Sequence, residues 1–538
     1  MRNSGSRLGK QDAAAAFGFG LLSLAVSHAC YFYYFNGGET YEFCHYAEIA
    51  RNILAGHGFR TGIFTPMDLA TLEFAGKAGS PLAPVVGSRY PLFALWSAFW
   101  MLIGGVRDYG MALGGMAGMA LSAAAVYGTG ARFFGRRAGA LSAGLWCFLP
   151  TAQAGYVLGG YSEPLFVALL LPFLARFILT MENEGLRMRS RALGLGAFAG
   201  LLYLLRPNSA FWLPVFLALP VFWGGREGMR FSAFLAGGFA AVAVPWTLYY
   251  AWLTGRAANP VLLEQLAAGT IAGPQPRMEL GTFGWADFAA PAALWKLGVK
   301  SWVQLRRTAW DLAGLGSMPV LAAAAVAGFF RAAGAPRRFI GAALILLGVS
   351  AVCLSVLHYE VLVFMGHRHY FWFGAVVVVG AGALLAEGLG EPRGRALAAA
   401  ILLCQAQFIA YQLGRRGEQL GRRGSSESVA AWAELGYIRD RLPRDAAVLT
   451  NIPTQVGWYA GRTAIHFPFR LGSAAGFADR WKAPYLLVSL RPLGELFRFP
   501  EWAVVFNSDR ASAGAALRSA GYVLEREFPG AVLLKRQG

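Results

Sequence analysis

The sequence predicts a polytopic α-helical membrane protein with about eleven transmembrane helices and a small C-terminal α/β extracytoplasmic domain. Of its 538 residues, 56% are hydrophobic and only 14% are charged, whereas soluble domains carry about 25% charged residues. Long charge-poor stretches separate clusters of arginine, and the composition changes after about residue 425. The low charged fraction and the long charge-poor stretches predict membrane helices. The change in composition predicts a separate domain.

Eleven apolar stretches are long enough, or nearly so, to cross about 30 Å of hydrocarbon. They lie at residues 14–35, 109–131, 138–154, 163–182, 190–206, 208–224, 230–252, 311–332, 338–357, 370–390 and 395–413. Arginine clusters occupy alternate loops, near residues 132–137, 187–191, 226–230, 331–338 and 393–395. Because cytoplasmic loops are rich in arginine and lysine, we predict that these loops are cytoplasmic and that the C-terminal residues lie outside.

One apolar segment, residues 90–105, does not fit this alternation, because a full span there would invert every later loop. We interpret it as a partial or broken helix on the outer side. The prediction is then a transmembrane domain over residues 1–415, with outer loops at 36–108 and 253–310.

Residues 425–538 alternate between helix and strand patterns, which predicts a small periplasmic α/β domain. Ser425 to Ser428 can cap a helix that reaches Arg441. Strands are predicted at residues 446–450, 485–489, 503–506 and 531–534. A further helix is predicted at residues 511–520.

The net charge of +19 could indicate a nucleic-acid partner, but the arginines lie mostly between apolar stretches and no RNA- or DNA-binding motif accompanies them. We therefore predict contacts with membrane lipids and no nucleic acid. The five cysteines have neither metal-site spacing nor the pattern of a disulfide framework.

An acidic segment after the first apolar stretch is the strongest functional signal. Glu42, Tyr46 and Ala50 recur every four residues, so they share one face of a helix, and this helix ends at a glycine pair. Glu39 lies almost one turn before Glu42. Because carboxylates are costly beside a bilayer, a short acidic helix between spans indicates chemistry at the membrane surface.

This segment resembles the first extracytoplasmic loop of the GT-C glycosyltransferases, in the branch with protein mannosyltransferases and the lipid A aminoarabinose transferase. There an aspartate begins a similar acid-x-x-x-Tyr-x-x-x-Ala pattern; here Glu42 holds that position and Phe43 stands where a second acid is common. The resemblance implies a catalytic carboxylate at Glu42 or Glu39. Alternatively, both are solvated acids favoured by the helix dipole.

Tyr161-Ser162-Glu163-Pro164 is similar to the Ser/Thr-acid pair that opens a span beside the active site in this family. The resemblance implies that Glu163 is a second catalytic acid. The same residues also suit an ordinary helix start, with Ser162 as the N-cap, Glu163 on the positive dipole and Pro164 in the first turn.

Three other motifs resemble the family's basic elements: Arg89-Tyr90-Pro91-Leu92, Arg206-Pro207-Asn208 and Gly366-His367-Arg368-His369-Tyr370. Arginine suits phosphate because its planar donors hold two oxygens at once. Each arginine could instead be an interfacial anchor. The resemblance implies substrate binding by Tyr46, Arg89, Tyr90, Arg206, Asn208, His367, Arg368 and Tyr370.

The resemblance implies a membrane enzyme that moves a sugar from a polyprenyl-phosphate donor to an envelope acceptor, a lipid, glycan or protein, with inversion. Its implied place is the periplasmic face of a bacterial inner membrane. We expect no metal and no other cofactor, because His367 and His369 do not share a helix face. Two alternatives remain open: a polytopic lipid or solute transporter, and a catalytically inactive envelope scaffold.

Overall fold

The computed structural model describes residues 9–38, 40–65, 68–69, 72, 82–85, 89–149, 151–183, 189–254, 266, 270, 288–314, 319–357, 363–422, 428–468, 471–491, 502, 517–518 and 521–537. The chain divides into two compact units. The helical unit comprises Met1–Phe35, Ala112–Leu248 and Leu294–Leu420. The mixed unit comprises Asn36–Met111, Tyr249–Ala293 and Gly421–Gly538.

The principal helices, numbered in chain order, are α1 (Lys10–Tyr34), α2 (Tyr41–Leu54), α3 (Pro91–Gly104), α4 (Asp108–Phe134), α5 (Arg136–Cys147), α6 (Glu163–Asn183), α7 (Arg189–Leu205), α8 (Leu213–Thr254), α9 (Pro291–Gly314), α10 (Pro319–Arg331), α11 (Ala335–Leu357), α12 (Val363–Gly388), α13 (Pro392–Arg422), α14 (Ala433–Arg441) and α15 (Ala474–Trp481). The strands are β1 (Arg60–Thr61), β2 (Ile63–Phe64), β3 (Ala83–Pro84), β4 (Ala447–Thr450), β5 (Thr463–His466), β6 (Tyr485–Ser489), β7 (Tyr522–Phe528) and β8 (Ala531–Arg536).

Within the described residues, six helices are long and apolar enough to cross a membrane: Lys10–Tyr34, Asp108–Phe134, Glu163–Glu182, Pro207–Leu253, Ala335–Leu357 and His369–Gly388. Large apolar side chains on their surfaces, such as Phe17 and Phe222, are more than half exposed. A surface of this kind is stable in lipid rather than in water. The chain is therefore a multi-pass helical membrane protein.

Several predicted spans differ in detail from the observed helices. Predicted spans 208–224 and 230–252 fall largely within α8, which breaks at Gly225, where φ is 52°. A positive φ is accessible to glycine at little cost, so this residue separates two helical halves. The segment at 90–105 forms one unbroken helix of 14 residues, α3, which is shorter than the roughly 20 residues that a crossing needs. The count of eleven crossings remains a prediction.

Small residues let the membrane helices pack closely. A side chain at Gly196 in α7 would collide with the backbone carbonyl of Leu235 in α8, and one at Gly238 would collide with that of Leu193. Glycines at these positions bring two helix backbones together, which is a principal way for helices to associate in lipid.

The mixed unit contains a six-stranded sheet in the order β2-β5-β4-β6-β8-β7. The first four strands are parallel to their neighbours, while β8 runs antiparallel to β6 and β7. Apolar side chains are buried on both faces of the sheet, including Leu449 on one face and Val448 on the other. Burial of both faces is typical of parallel sheets, whose strands are nearly continuous apolar runs.

The sequence prediction for the last hundred residues was partly incomplete. Strands β4, β6 and β8 lie where strands were expected, but β5 and β7 were missed. The first helix of this region begins at Ala433, after a short turn, rather than at a cap formed by Ser425 to Ser428. The expected strand 503–506 and most of helix 511–520 lie outside the described residues.

Candidate active site

The acidic helix α2 forms in the mixed unit as its sequence predicts. Thr40 is its N-cap, and its hydroxyl accepts a hydrogen bond from the Phe43 amide at 3.0 Å, which satisfies one of the free N–H groups at the helix start. Glu42 lies in the first turn and is buried. Glu39, the other candidate base, lies outside the described residues.

Glu42 lies beside a buried cation that the sequence analysis had singled out. A carboxylate oxygen of Glu42 is 3.8 Å from a guanidinium nitrogen of Arg89, and both side chains are only 8% exposed. The same guanidinium lies 5.3 Å from the ring centre of Tyr46, one turn after Glu42. Tyr46 in turn packs edge-on against Phe93 of α3. The motifs at 42–46 and 89–92 therefore converge, because α2 packs against α3.

Two further titratable side chains lie close enough to Arg89 to be affected by its charge. His45, on the same helix face as Glu42, is fully buried, and burial together with Arg89 holds the pKa of its imidazole well below the usual range. Asp68 is also fully buried, and burial raises the pKa of its carboxyl to about 6, against the opposing effects of Thr65 and Arg89. We call Glu42, His45, Tyr46, Asp68 and Arg89 the acidic-helix cluster.

His45 and Asp68 were not predicted from the sequence. Position 45 follows Glu42 by three residues, so the helical period could have pointed to His45. Asp68 has a local structural role: its Oδ2 accepts hydrogen bonds from the backbone and hydroxyl of Thr65, at 3.1 and 2.6 Å. Nothing in the local pattern indicates its proximity to Arg89. Within the described residues, Asp68 Oδ1 and both ring nitrogens of His45 have no hydrogen-bond partner.

The raised pKa of Asp68 predicts a pH-dependent stability. The unfolded carboxyl ionises near pH 3.8 and the folded one near 6, so the unfolded state releases its proton first and stability falls as the pH rises between these values. Replacing Asp68 with asparagine removes this loss. We expect the free energy of unfolding of the Asp68→Asn variant, relative to the unmodified protein, to rise by about 2 kcal/mol between pH 4.5 and 7.5.

Chemical denaturation in detergent at the two pH values measures this difference. The Asp440→Asn variant is the control, because Asp440 is exposed and a hydrogen bond from Arg439 lowers the pKa of its carboxyl. If the free energy of unfolding of Asp68→Asn changed with pH in the same way as that of the unmodified protein, the carboxyl of Asp68 would not have a raised pKa.

Residues from the C-terminal part of the mixed unit hold α2 in place. Arg51, in the last turn of α2, donates hydrogen bonds to the carbonyls of Gly457 and Trp458 at 2.9 and 3.0 Å. Glu48 accepts hydrogen bonds from Thr61 and from the Gly62 amide, at 2.7 and 3.1 Å. Glu48 therefore tethers the following loop.

A second group of predicted residues converges in the helical unit. The guanidinium of Arg206 is 2.6 Å from the carboxylate of Glu163, the first residue of α6, and the Glu163 side chain is 1% exposed. Arg206 Nη2 and Asn208 Nδ2 lie 3.3 and 3.1 Å from Nδ1 of His369. Because a guanidinium can only donate, Nδ1 is the acceptor in the contact with Arg206. His369 was not among the predicted substrate-binding residues.

These residues border a cleft with aromatic walls. Arg206, Asn208 and His369 line it together with Phe166, Phe211, Trp212 and Trp372. The rings of Trp212 and Trp372 meet at 5.0 Å. The indole N–H of Trp212 donates to Ser350 at 2.8 Å, which fixes one wall. We call this site the arginine cleft.

The remaining predicted residues fall into two groups. Tyr90 is the N-cap of α3 and is buried, as is Tyr370, whose hydroxyl is 3.4 Å from that of Thr308. His367 and Arg368 lie in α12, but their side chains are outside the described residues. The site roles of all these residues remain predictions.

Comparison with solved structures identifies the fold. The chain resembles an Archaeoglobus fulgidus oligosaccharyltransferase in complex with Zn and sulfate, with a TM-score of 0.56, 15% identity, and coverage of 94% of this chain and 71% of the other. It also resembles the oligosaccharyltransferase AglB of that organism with an inhibitory peptide and a dolichol-phosphate, with a TM-score of 0.52, 14% identity, and coverage of 98% and 74%.

A third solved structure is ArnT from Cupriavidus metallidurans bound to undecaprenyl phosphate, with a TM-score of 0.48, 13% identity, and coverage of 96% and 98%. No protein-family model matches the chain, and no curated protein matches it. The two oligosaccharyltransferase structures confirm the GT-C fold that was predicted from the sequence. At these identities, the likeness establishes the fold alone.

Proposed function

We propose that this GT-C-fold chain is a membrane glycosyltransferase that moves a sugar from a polyprenyl-phosphate donor to an envelope acceptor on the periplasmic face. The observation that carries the proposal is the buried Glu42–Arg89 pair, at 3.8 Å, at the start of the acidic helix. A carboxylate and a cation in one desolvated site are the two groups that glycosyl transfer from a lipid phosphate requires. One of the similar solved structures is an oligosaccharyltransferase in complex with a dolichol-phosphate.

The Glu42–Arg89 pair suits an exchange of partners. At 3.8 Å the two groups attract each other, but they are beyond ordinary hydrogen-bond distance. A donor phosphate that binds Arg89 offsets part of the positive charge that Arg89 exerts on Glu42. The Glu42 carboxylate then accepts a proton more readily. Both groups are buried, so their charges act strongly on a bound substrate.

In the proposed reaction, Glu42 accepts the proton of the attacking hydroxyl or amine as the acceptor atom bonds to the anomeric carbon. The bond between that carbon and the phosphate oxygen breaks, and its electron pair remains on the phosphate, whose charge Arg89 stabilises. Attack opposite the leaving group inverts the anomeric centre. Arg368 was predicted as a further phosphate cation, and that role stays part of the proposal.

The proposed scheme uses no metal ion. One of the similar structures contains Zn, but within the described part of this chain no three His, Cys, Asp or Glu side chains are grouped so that they could hold a metal ion. No step of the proposed reaction is assigned to a metal ion.

The test is turnover by the purified full-length protein in lipid nanodiscs, supplied with polyprenyl-phosphate sugars and envelope lipid acceptors. We expect acceptor-dependent release of polyprenyl phosphate, and an Arg89→Met variant at least about 100-fold slower, because electrostatic stabilisation of a leaving group contributes that much. Arg441→Met, at an exposed position in the same unit, is the control.

The alternatives give different results in this assay. A transporter would move the lipid between leaflets without breaking the glycosidic bond, and an inactive scaffold would do neither. Absence of release from neutral, amino and acidic sugar donors alike would refute the proposed function. Release at an equal rate by Arg89→Met would refute the role of Arg89 alone.

A further inference from the structure

A short π-helical turn in the C-terminal part of the mixed unit holds the first residue of α4. The turn comprises Val456–Ala460 and comes shortly after strand β4. Turns of this kind are rare and occur frequently at functional sites. Trp458 and Tyr459 donate hydrogen bonds to the two carboxylate oxygens of Asp108, at 2.7 and 2.8 Å, and Asp108 belongs to the same unit. The hydroxyl proton of Tyr459 is therefore directed at Asp108.

The Tyr459 hydroxyl also holds the backbone that leads into α2. Because its proton is donated to Asp108, its oxygen can accept a hydrogen bond, and it accepts one from the Gly38 amide. The carbonyl of Gly38 in turn accepts from the thiol of Cys44, at 3.1 Å. Gly38 lies four residues before Glu42. A hydroxyl group 421 residues away along the chain therefore sets where the acidic helix begins.

The segment before α2 is closely packed on both sides. Gly37 has a φ of 103°, and a Cβ there would lie 2.8 Å from Val429 and 3.2 Å from the Tyr459 hydroxyl. A Cβ at Gly38 would lie 2.6 Å from the ring of Phe43, which is closer than carbon atoms that are not bonded approach each other. The segment therefore lies against Tyr459 on one side and against the first turn of α2 on the other.

The same π-helical turn holds the other end of α2. Arg51 donates to two carbonyls of the turn, and its guanidinium lies 5.0 Å from the ring centre of Trp458. Glu42 lies between Gly38 and Arg51, so its placement depends on both contacts. At 3.8 Å, Glu42 and Arg89 are beyond ordinary hydrogen-bond distance, so this pair alone does not fix the carboxylate.

We propose that Tyr459 is a positioning residue for the proposed transfer reaction. Its hydroxyl holds the backbone at Gly38 and thereby places the Glu42 carboxylate beside the attacking group. Tyr459 acts through Glu42 and does not itself touch the substrate. A misplacement of about 1 Å can slow an enzyme about 100-fold, so removal of this one hydroxyl group is expected to change the rate. The inference rests on the proposed function and adds to it a residue from the C-terminal part of the chain.

The first test is the Tyr459→Phe variant, which removes the hydroxyl and keeps the ring. In the turnover assay we expect kcat to fall about 10-fold or more and KM for the donor to stay within about 2-fold, because Arg89, which binds the donor phosphate, is unchanged. Tyr437→Phe is the matched control. Its hydroxyl makes an exposed contact with Glu525 at 3.5 Å in the same unit, so its removal should leave kcat unchanged.

A double variant distinguishes positioning from a general loss of folded protein. If Tyr459 acts through Glu42, adding Tyr459→Phe should slow the Glu42→Gln protein by less than about 2-fold, because the group that it positions is already gone. A loss of folded protein would instead multiply the two effects. Hydrogen exchange gives a readout that does not depend on turnover: in Tyr459→Phe, the amides of residues 38–44 should exchange faster, and those of strand β8 should not.

The Gly38→Ala variant tests the same link from the other side. The added methyl group would lie 2.6 Å from Phe43, so the segment has to move. We expect the same fall in kcat, and again little further loss in the Glu42→Gln protein. Gly436→Ala is the matched control, because a methyl group at that position in α14 meets only the side chain of Arg439, at 4.0 Å.

Each outcome decides the inference. An unchanged kcat in Tyr459→Phe, a loss that multiplies with that of Glu42→Gln, or unchanged exchange at residues 38–44 would overturn it while the proposed function stands. If Tyr459→Phe does not fold, Gly38→Ala decides by the same criteria. If the unmodified protein releases no polyprenyl phosphate from any donor, the proposed function is wrong and the inference is wrong with it.

Discussion

Replacing Glu42 with glutamine is expected to reduce sugar transfer by at least about 100-fold, the usual contribution of a positioned acid or base. Glutamine has nearly the same shape as glutamate, but it cannot accept a proton from the attacking group. Glu42 lies 3.8 Å from Arg89 in a buried site, so the variant also removes the partner of that cation. The rate of polyprenyl-phosphate release, measured at saturating donor, reports the effect.

The matched control for this prediction is Glu227→Gln. Glu227 forms an exposed pair with Arg230 in the helical unit, and this pair should contribute little. The Glu42→Gln protein should still fold and bind the donor, although it loses the counter-charge of the buried Arg89 and with it some stability. Normal turnover by a well-folded Glu42→Gln protein would remove Glu42 from the mechanism and leave Glu39 as the candidate base.

The largest expected effect on stability comes from breaking the Glu163–Arg206 pair. Their nitrogen and oxygen are 2.6 Å apart, and the side chains are 1% and 10% exposed, respectively. Glu163→Gln leaves the guanidinium buried without its counter-charge, which typically costs about 3–5 kcal/mol. Denaturation of the purified protein in detergent measures the loss.

A double variant separates charge from packing. Glu163→Leu combined with Arg206→Met removes both charges and keeps similar volumes, so it should be less destabilised than either single charge removal. Glu387→Gln is the control, because the Arg331–Glu387 pair is about 60% exposed and such pairs contribute less than about 1 kcal/mol. Equal losses in the Glu163→Gln and Glu387→Gln variants would show that burial does not strengthen the pair.

The sequence specifies those features of the fold that depend on neighbouring residues, such as helix faces, helix caps and apolar segments. The helical period places Glu42 and Tyr46 on one face of α2, and Thr40 before them is a favourable cap. Continuous apolar runs indicate the membrane helices and the buried strands β4, β6 and β8, because each element is selected mainly by its own residues and its solvent.

Prediction failed where a short element depends on a distant partner. Strand β2 has two residues, Ile63 and Phe64, and pairs with Ala464 and Ile465 of β5. Two residues carry too little periodicity to be recognised. Such strands are stabilised by the sheet that they join rather than by their own propensity.

The sequence by itself determined the membrane-spanning character of this protein, the acidic helix and the identity of most charged candidates, since composition and period are local properties. Tertiary structure alone decided which charges meet. Glu42 pairs with Arg89, Glu163 pairs with Arg206, and His45 and Asp68 lie within reach of the charge of Arg89. These partners are brought together by helix packing and loop closure, and an electrostatic interaction depends on distance in space, which spacing along the chain does not specify.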